Sequence, residues 1–386
     1  MHFRHKLMFD YQKTGRYFAQ VSDDIKDIAE EELKSLGALD TRPAYRGISF
    51  TANHETLYAI NFHSRLINRV LAPLVSFNCH SDKYLYNRSS QVSWDNFLDP
   101  SRTFAIFASV SNSAIRHSRF AALRLKDAIV DYFQKDGGGR PSIDAKDPDI
   151  WFNLYINNDK AVISLDTSGG SLHRRGYRGK SVPAPMIETL AAAIIQHSGW
   201  DGSVGLYDPF CGSGTLLCEA YMRLSNTPAG ILRPRFGFER LPDFDPSLWH
   251  KVKREGMKKI KPVSRGLIQG SDISTEAVKA SIHNCSLIGA KNLIRIEKKD
   301  VFDIDNLENK VIICNPPYGI RMAKGEDLDE FYKRFGDFLK KRCNGSAAYI
   351  YLGERKYIKN IGLKPSWKRP LSNGGLDGRL VKYEMY

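Results

Sequence analysis

Two short runs of residues carry chemistry. Residues 208–215 read Asp-Pro-Phe-Cys-Gly-Ser-Gly-Thr, and residues 315–319 read Asn-Pro-Pro-Tyr-Gly. Each follows a short apolar run of the kind that forms a buried parallel strand. In an open parallel sheet, ligands bind beyond the carboxyl ends of the strands, where both runs fall. At the first, Gly212 and Gly214 let the backbone turn sharply and approach a ligand closely. Thr215 lies near the start of the next helix, whose free N–H groups favour a carboxylate. With Asp208, Pro209 and Phe210 they form a turn suited to the methionine end of S-adenosylmethionine. No Gly-Lys-Ser/Thr follows, so this is not a phosphate loop. The second run suits a planar base held by its exocyclic amino group. Such a nitrogen is a poor nucleophile, because its lone pair is delocalised into the ring. Acceptors on the Asn315 side chain and the Pro316 carbonyl hold its hydrogens and turn it toward a methyl sulfonium. Pro316 and Pro317 stiffen the corner, and Tyr318 offers an aromatic face. The two runs, in this order, predict methyl transfer to a nucleobase nitrogen. A paired base cannot enter such a corner, so the target is unpaired or flipped out.

Two further strand ends fit the same ligand. Gly270-Ser271-Asp272-Ile273 places Asp272 where a carboxylate accepts from two ribose hydroxyls, with Ile273 beside it. Ser274 reads as a helix cap and Glu276 as a first-turn acid, a structural role. In Asp300-Val301-Phe302-Asp303, Asp300 accepts from an adenine amino group while Val301 covers the ring; Asp303 reads as a loop acid. Cys211 reads as a small packing residue.

The elements that position these residues change character along the chain. Residues 1–15 show little pattern and read as a mobile arm. A small α/β unit follows: strand 17–21, helix 25–36, strand 47–51 and helix 55–61. Gly37 stops the first helix. Next come strands 69–77 and 104–110, a helix over 116–134 with Arg116, Arg119 and Lys126 in its first half, and strands 150–157 and 161–166. Asn157-Asn158-Asp159-Lys160 predicts a tight hairpin between the last two. Beyond Gly169-Gly170 and the basic stretch 173–180, strands (204–208, 267–272, 294–297, 311–314, 347–352) alternate with helices (186–197, 214–224, 275–287, 328–341). That alternation means βαβ units and a doubly wound parallel sheet.

The chain has 386 residues, long enough for two or three domains. Its net charge of +14 favours a polyanionic partner, through release of condensed counterions. The six cysteines, at 79, 211, 218, 285, 314 and 343, show no Cys-x-x-Cys spacing. No histidine cluster completes a metal set, so neither a metal nor a disulfide framework is expected. No signal peptide or membrane span is visible, and a cytoplasmic location is expected.

At these residues the chain resembles the class I S-adenosylmethionine-dependent methyltransferases that carry an Asn-Pro-Pro-Tyr site. The wider context narrows the likeness to the THUMP-containing 23S ribosomal RNA guanine-N2 methyltransferases. Residues 172–178 (Leu-His-Arg-Arg-Gly-Tyr-Arg), Ala184-Pro185, 190–193, Ser198-Gly199-Trp200, Gly237-Phe238-Glu239, Asn373-Gly374-Gly375-Leu376, 118–123 and 126–129 carry it. The resemblance implies an α/β architecture of a ferredoxin-like α+β domain (16–66), a THUMP RNA-binding domain (67–168) and a Rossmann-like methyltransferase domain (169–386), its sheet mostly parallel with helices on both faces. It implies S-adenosylmethionine as cofactor and RNA as partner. It also implies that Pro185 and Glu188 sit in the segment that closes over the cofactor. Arg116, Arg119, Lys126, Arg174, Arg175, Tyr177 and Arg178 are expected at the RNA, the tyrosine stacking on a base or on the cofactor segment. Two departures stand out: Ile187 where relatives often have Lys, and Gly378 where Cys is common. Some bacteria fuse this enzyme to a second methyltransferase half; the sequence stops after the first, so one modification is expected. Adenine-N6 methylation of DNA or RNA, a tRNA substrate and a non-catalytic ribosome-assembly role are the competing readings.

Overall fold

The first half of the chain builds one sheet. Its strands are β1 (Arg16–Gln20), β2 (Leu39–Ala44), β3 (Gly47–Thr51), β4 (Arg69–Asn78), β5 (Thr103–Ser111), β6 (Ser142–Ile143), β7 (Ile150–Asn157) and β8 (Lys160–Asp166), in the order β2-β3-β1-β4-β8-β7-β5-β6. Helices α1 (Asp10–Thr14), α2 (Lys26–Ser35), α3 (His54–His63), α4 (Asp82–Ser89) and α5 (Ser118–Gln134) accompany it. The computed structural model describes residues 8–135, 139–180, 186–317, 327–373 and 376–386. The predicted hairpin is present: Asn158 and Asp159 take φ of 48° and 54°, and Asn157 pairs with Lys160. Positive φ at two successive residues matches the right-handed twist of the flanking strands. β4 pairs with β1 on one side and β8 on the other, so the sheet runs without a break from the small α/β unit into the next.

The second half is a mostly parallel sheet. Helix α6 (Glu188–Ser198) leads into β9 (Leu206–Asp208), α7 (Thr215–Leu224), α8 (Pro246–Lys258), β10 (Ile268–Asp272), α9 (Thr275–Leu287), β11 (Arg295–Lys298), β12 (Val311–Cys314), α10 (Leu328–Arg342), β13 (Ala347–Leu352), α11 (Tyr357–Asn360), β14 (Trp367–Pro370) and β15 (Arg379–Glu384). The order is β11-β10-β9-β12-β13-β15-β14, parallel from β11 to β13. β15 runs antiparallel to β13 and β14. The apolar residues of β12 and β13 are almost wholly buried, including Ile312, Ile313, Ile350 and Leu352. Each such side chain contributes about 1.5–3 kcal/mol by leaving water.

The mobile-arm reading does not hold for residues 8–15. Tyr11 is buried in α1, and its hydroxyl donates to Asp243 at 2.6 Å, with Gln12 donating to the other oxygen at 3.0 Å. The halves are clasped elsewhere too. Tyr58 and Phe62 of α3 pack on Phe236, Phe238 and Trp249, with the Tyr58 and Phe238 ring centres 4.5 Å apart. The guanidinium of Arg65 donates to the carbonyls of Met222 and Thr227, and that of Arg233 to those of Ser168, Gly169, Gly170, Ser171 and Arg174. All six cysteines are buried free thiols. Among the described residues no helix is long and apolar enough to cross a membrane. Gly378 has a physical reason: a Cβ there would run into the Tyr351 hydroxyl, which donates to the Leu371 carbonyl at 3.2 Å.

Candidate active site

β9 stands between β10 and β12, and the strand order reverses at it. Loops on its two sides depart in opposite directions, and a crevice opens beyond the carboxyl ends of the strands. Asp208 ends β9 and is only 1% exposed. It accepts from the Phe210 N–H at 3.0 Å. Burial pushes its carboxyl well above the usual carboxylate range, and the Asp272 charge adds to that. A carboxylate so placed is costly to ionise unless a cation joins it. The backbone then turns through Gly212 (φ 53°) and Gly214 (φ 82°), beyond the buried Pro209. A Cβ at Gly214 would collide with Ser281. Gly214 caps α7, which places Thr215 in the first turn with unpaired N–H groups around it.

The loop after β10 is tied to this turn. Asp272 Oδ2 accepts from the Gly212 N–H and Oδ1 from the Ser274 N–H, both at 2.9 Å. Each oxygen keeps a further lone pair for a ligand hydroxyl. Ile273 stands 65% exposed beside it. Ser274 caps α9 and its hydroxyl donates to Glu276, which gives Glu276 a structural partner. After β11, Asp300 caps the short turn Val301–Asp303 by accepting from the Phe302 N–H at 2.9 Å. Val301 is buried beneath it.

β12 delivers Asn315. Its Oδ1 is buried and has no hydrogen-bond partner among the described residues. An acceptor left in that state costs about 1–3 kcal/mol, recovered when a donor arrives. Pro316 is buried and Pro317 half-buried. Tyr318 and Pro185 lie outside the described residues. Glu188 opens α6 with its side chain buried; its Oε1 meets Arg178 at 3.2 Å, while Oε2 has no partner among the described residues. Burial pushes this carboxyl up to about 7. Two desolvated carboxyls and a helix N-terminus fit a zwitterionic amino-acid group, the methionine end of S-adenosylmethionine.

This arrangement is shared with known proteins. Residues 175–382 match the family of RMKL-like methyltransferase domains, 79–166 the THUMP domain and 16–71 the RlmL ferredoxin-like domain. The chain belongs to the RMKL-like methyltransferase family. A protein of Synechocystis named "Putative RNA methyltransferase" is 38% identical over 374 residues, 97% of each chain. The ribosomal RNA large subunit methyltransferase K/L of Vibrio campbellii is 36% identical over 381 residues. The match covers 96% of this chain and 53% of that one, so the chain spans about half the length of this relative. Among solved structures, a "putative methyltransferase complexed with SAH" aligns with a TM-score of 0.84 at 27% identity, over 97% of this chain and 98% of that one.

The methyltransferase departs from expectation in its basic stretch. Arg175 was expected at RNA phosphates, but it is 1% exposed. It pairs with Glu219 at 3.3 Å and donates to the carbonyls of Leu172, Ser64 and Arg65. Tyr177 was expected to stack on a base or on the cofactor segment, but it is equally buried and donates to Glu219 at 2.9 Å. Arg178 faces the cofactor side, donating to the Met186 carbonyl at 2.6 Å and approaching Thr215 at 3.4 Å. Arg175 and Tyr177 share one reason: Glu219, buried on α7, needs donors, and both supply it; Arg178 is drawn instead to buried Glu188. Arg174 stays exposed. α5 begins at Ser118, not at 116; Arg116, just before it, and Arg119 on it are exposed, while Lys126 is half-buried and pairs with Asp127 at 2.8 Å. Sequence reasoning missed Asn284. Its amide donates to the carbonyls of Ser213 and Lys180, at 2.9 and 2.8 Å, and fastens the cofactor turn to the stretch before α6. An Asn inside a helical apolar pattern gives no signal of such a task.

Proposed function

We propose that this methyltransferase transfers a methyl group from S-adenosylmethionine to the exocyclic N2 of a guanine in 23S ribosomal RNA. The observation that carries the reading is the buried Asn315 Oδ1, without a partner among the described residues, at the end of β12 beside the turn that follows β9. S-adenosylmethionine supplies an electrophilic methyl carbon. Asp208 and Glu188 face its ammonium, the first N–H groups of α7 its carboxylate, Asp272 its ribose, and Asp300 with Ile273 and Val301 its adenine. Asn315 and the Pro316 carbonyl accept the two hydrogens of the target amine and aim its nitrogen at the methyl. The nitrogen forms the new bond as the methyl leaves sulfur, and a proton departs from the nitrogen to water afterwards. No general base is required.

RNA as the substrate rests on the THUMP match, the names of the relatives and a net charge of +14. The exposed Arg116, Arg119 and Arg174 are the residues we place at phosphates. The buried free thiols suit a reducing cytoplasm, where we place the protein. The test is methylation of RNA followed by mass spectrometry of the digested nucleosides. N2-methylguanosine from 23S ribosomal RNA is expected. Methyl on adenine, or on tRNA alone, would overturn the assignment. Asn315→Ala should lower kcat at least a hundredfold while RNA affinity stays within a few-fold.

A further inference from the structure

Helix α10 packs against three loops of the crevice, those after β9, β11 and β12, through residues that carry no chemistry of their own. Tyr332 is fully buried, and its hydroxyl donates to the Pro317 carbonyl at 3.1 Å. The adjacent Phe331 lies edge-on to Phe210 of the cofactor turn, with ring centres 5.8 Å apart, and edge-on to Phe302 of the Asp300 loop, also at 5.8 Å. Phe335, one turn on, meets Phe210 at 5.2 Å. Two neighbouring residues thus touch the cofactor turn, the adenine-side loop and the base corner together.

We propose that Phe331 and Tyr332 are positioning residues: a strut that sets the Asn315–Pro317 corner at a fixed offset from the cofactor turn. The inference rests on the methyl-transfer reading of Asn315. The physical need is specific. Pro316 and Pro317 have no N–H, so beyond Asn315 the corner has no backbone donor with which to grip the scaffold. The Pro317 carbonyl remains as a handle, and Tyr332 takes it. The tyrosine cannot swing away cheaply, because its ring stacks on Tyr357 with centres 4.5 Å apart and planes 19° apart. Transfer between a nitrogen and a methyl carbon is sensitive to displacements of about 1 Å, which one peptide rotation at residue 317 would produce.

Tyr332→Phe tests the strut, because it keeps the ring and the stack and removes only the hydroxyl. Methylation of 23S ribosomal RNA by this variant should show kcat lowered about tenfold. KM for S-adenosylmethionine, RNA affinity and the thermal midpoint should stay near those of the parent. Phe331→Leu, at a half-buried ring, gives an independent reading: it should lower kcat and also raise KM for S-adenosylmethionine several-fold. Parental kcat in both variants overturns the proposal. So does a Tyr332→Phe variant that loses cofactor affinity and thermal stability in step with kcat, since that is support of the core alone. Asn315→Ala, assayed in parallel, separates the two levels. Full activity there removes the base-site reading itself, whereas an inactive Asn315→Ala beside a fully active Tyr332→Phe and Phe331→Leu removes only the strut.

Discussion

Glu188 is the residue whose chemistry is easiest to test apart from turnover. Burial holds its carboxyl at about 7, above the ordinary 4.5, with Arg178 opposing that rise. In the proposed site an ammonium group binds the ionised form, so cofactor binding there would release a proton when the pH is below about 7. Affinity for S-adenosylmethionine should therefore weaken as the pH falls from 8 to 6. Calorimetry across that range should show the slope, and Glu188→Gln should flatten it while binding less tightly throughout. A slope unchanged in the variant would place the titrating group elsewhere. At this scale the sequence was legible wherever a side chain sits beside a turn that announces itself, as Asp208, Asp272 and Asn315 do. It misled at Arg175 and Tyr177. A basic, aromatic stretch reads as a surface, and only the fold shows that Glu219, 42 residues beyond Tyr177, draws it inward.

Among the elements, α7 carries the steric demand that lies at the crevice itself. Its cap, Gly214, has φ of 82° and no room for a Cβ beside Ser281. Gly214→Ala adds left-handed strain, about 1–2 kcal/mol, to that collision. The variant should lose thermal stability, and its cofactor affinity should fall at least tenfold; binding calorimetry beside a thermal melt measures both. Strand–helix alternation made β9 to β13 readable, several with ends matching to the residue, such as β12 and β13. β14 and β15 were not read. β14 is Trp-Lys-Arg-Pro, an exposed edge whose charges and proline hide its pairing, and β15 mixes Lys and Glu with Leu380, Val381 and Tyr383. α8 was missed because only Val252 and Gly256 of its Lys-rich sequence are fully buried.

Across the whole molecule, basic residues divide into those that meet solvent and those that hold the halves together. Arg119→Ala, alone or with Arg116→Ala, should leave the melting temperature unchanged. It should weaken RNA binding and reduce the slope of log affinity against log salt by about one for each phosphate left without its arginine. Arg175→Ala should do the reverse. It strands buried Glu219, at a cost of about 3 kcal/mol or more, and should lower the melting temperature well before any salt slope changes. Domain order was legible because hydrophobic period and turn chemistry shift near residue 169. The junction was not, since its contacts join Arg65 to Thr227 and Phe62 to Gly230, pairs too far apart in the chain for any local pattern to reveal. Arg65 and Arg233, spread over backbone carbonyls on both sides of that junction, leave little play between the two halves. A molecule jointed this stiffly behaves as a caliper. Whatever feature the front half grasps must lie one set span from the nucleotide that is modified, so lengthening the intervening stem by a few base pairs should silence an otherwise intact target.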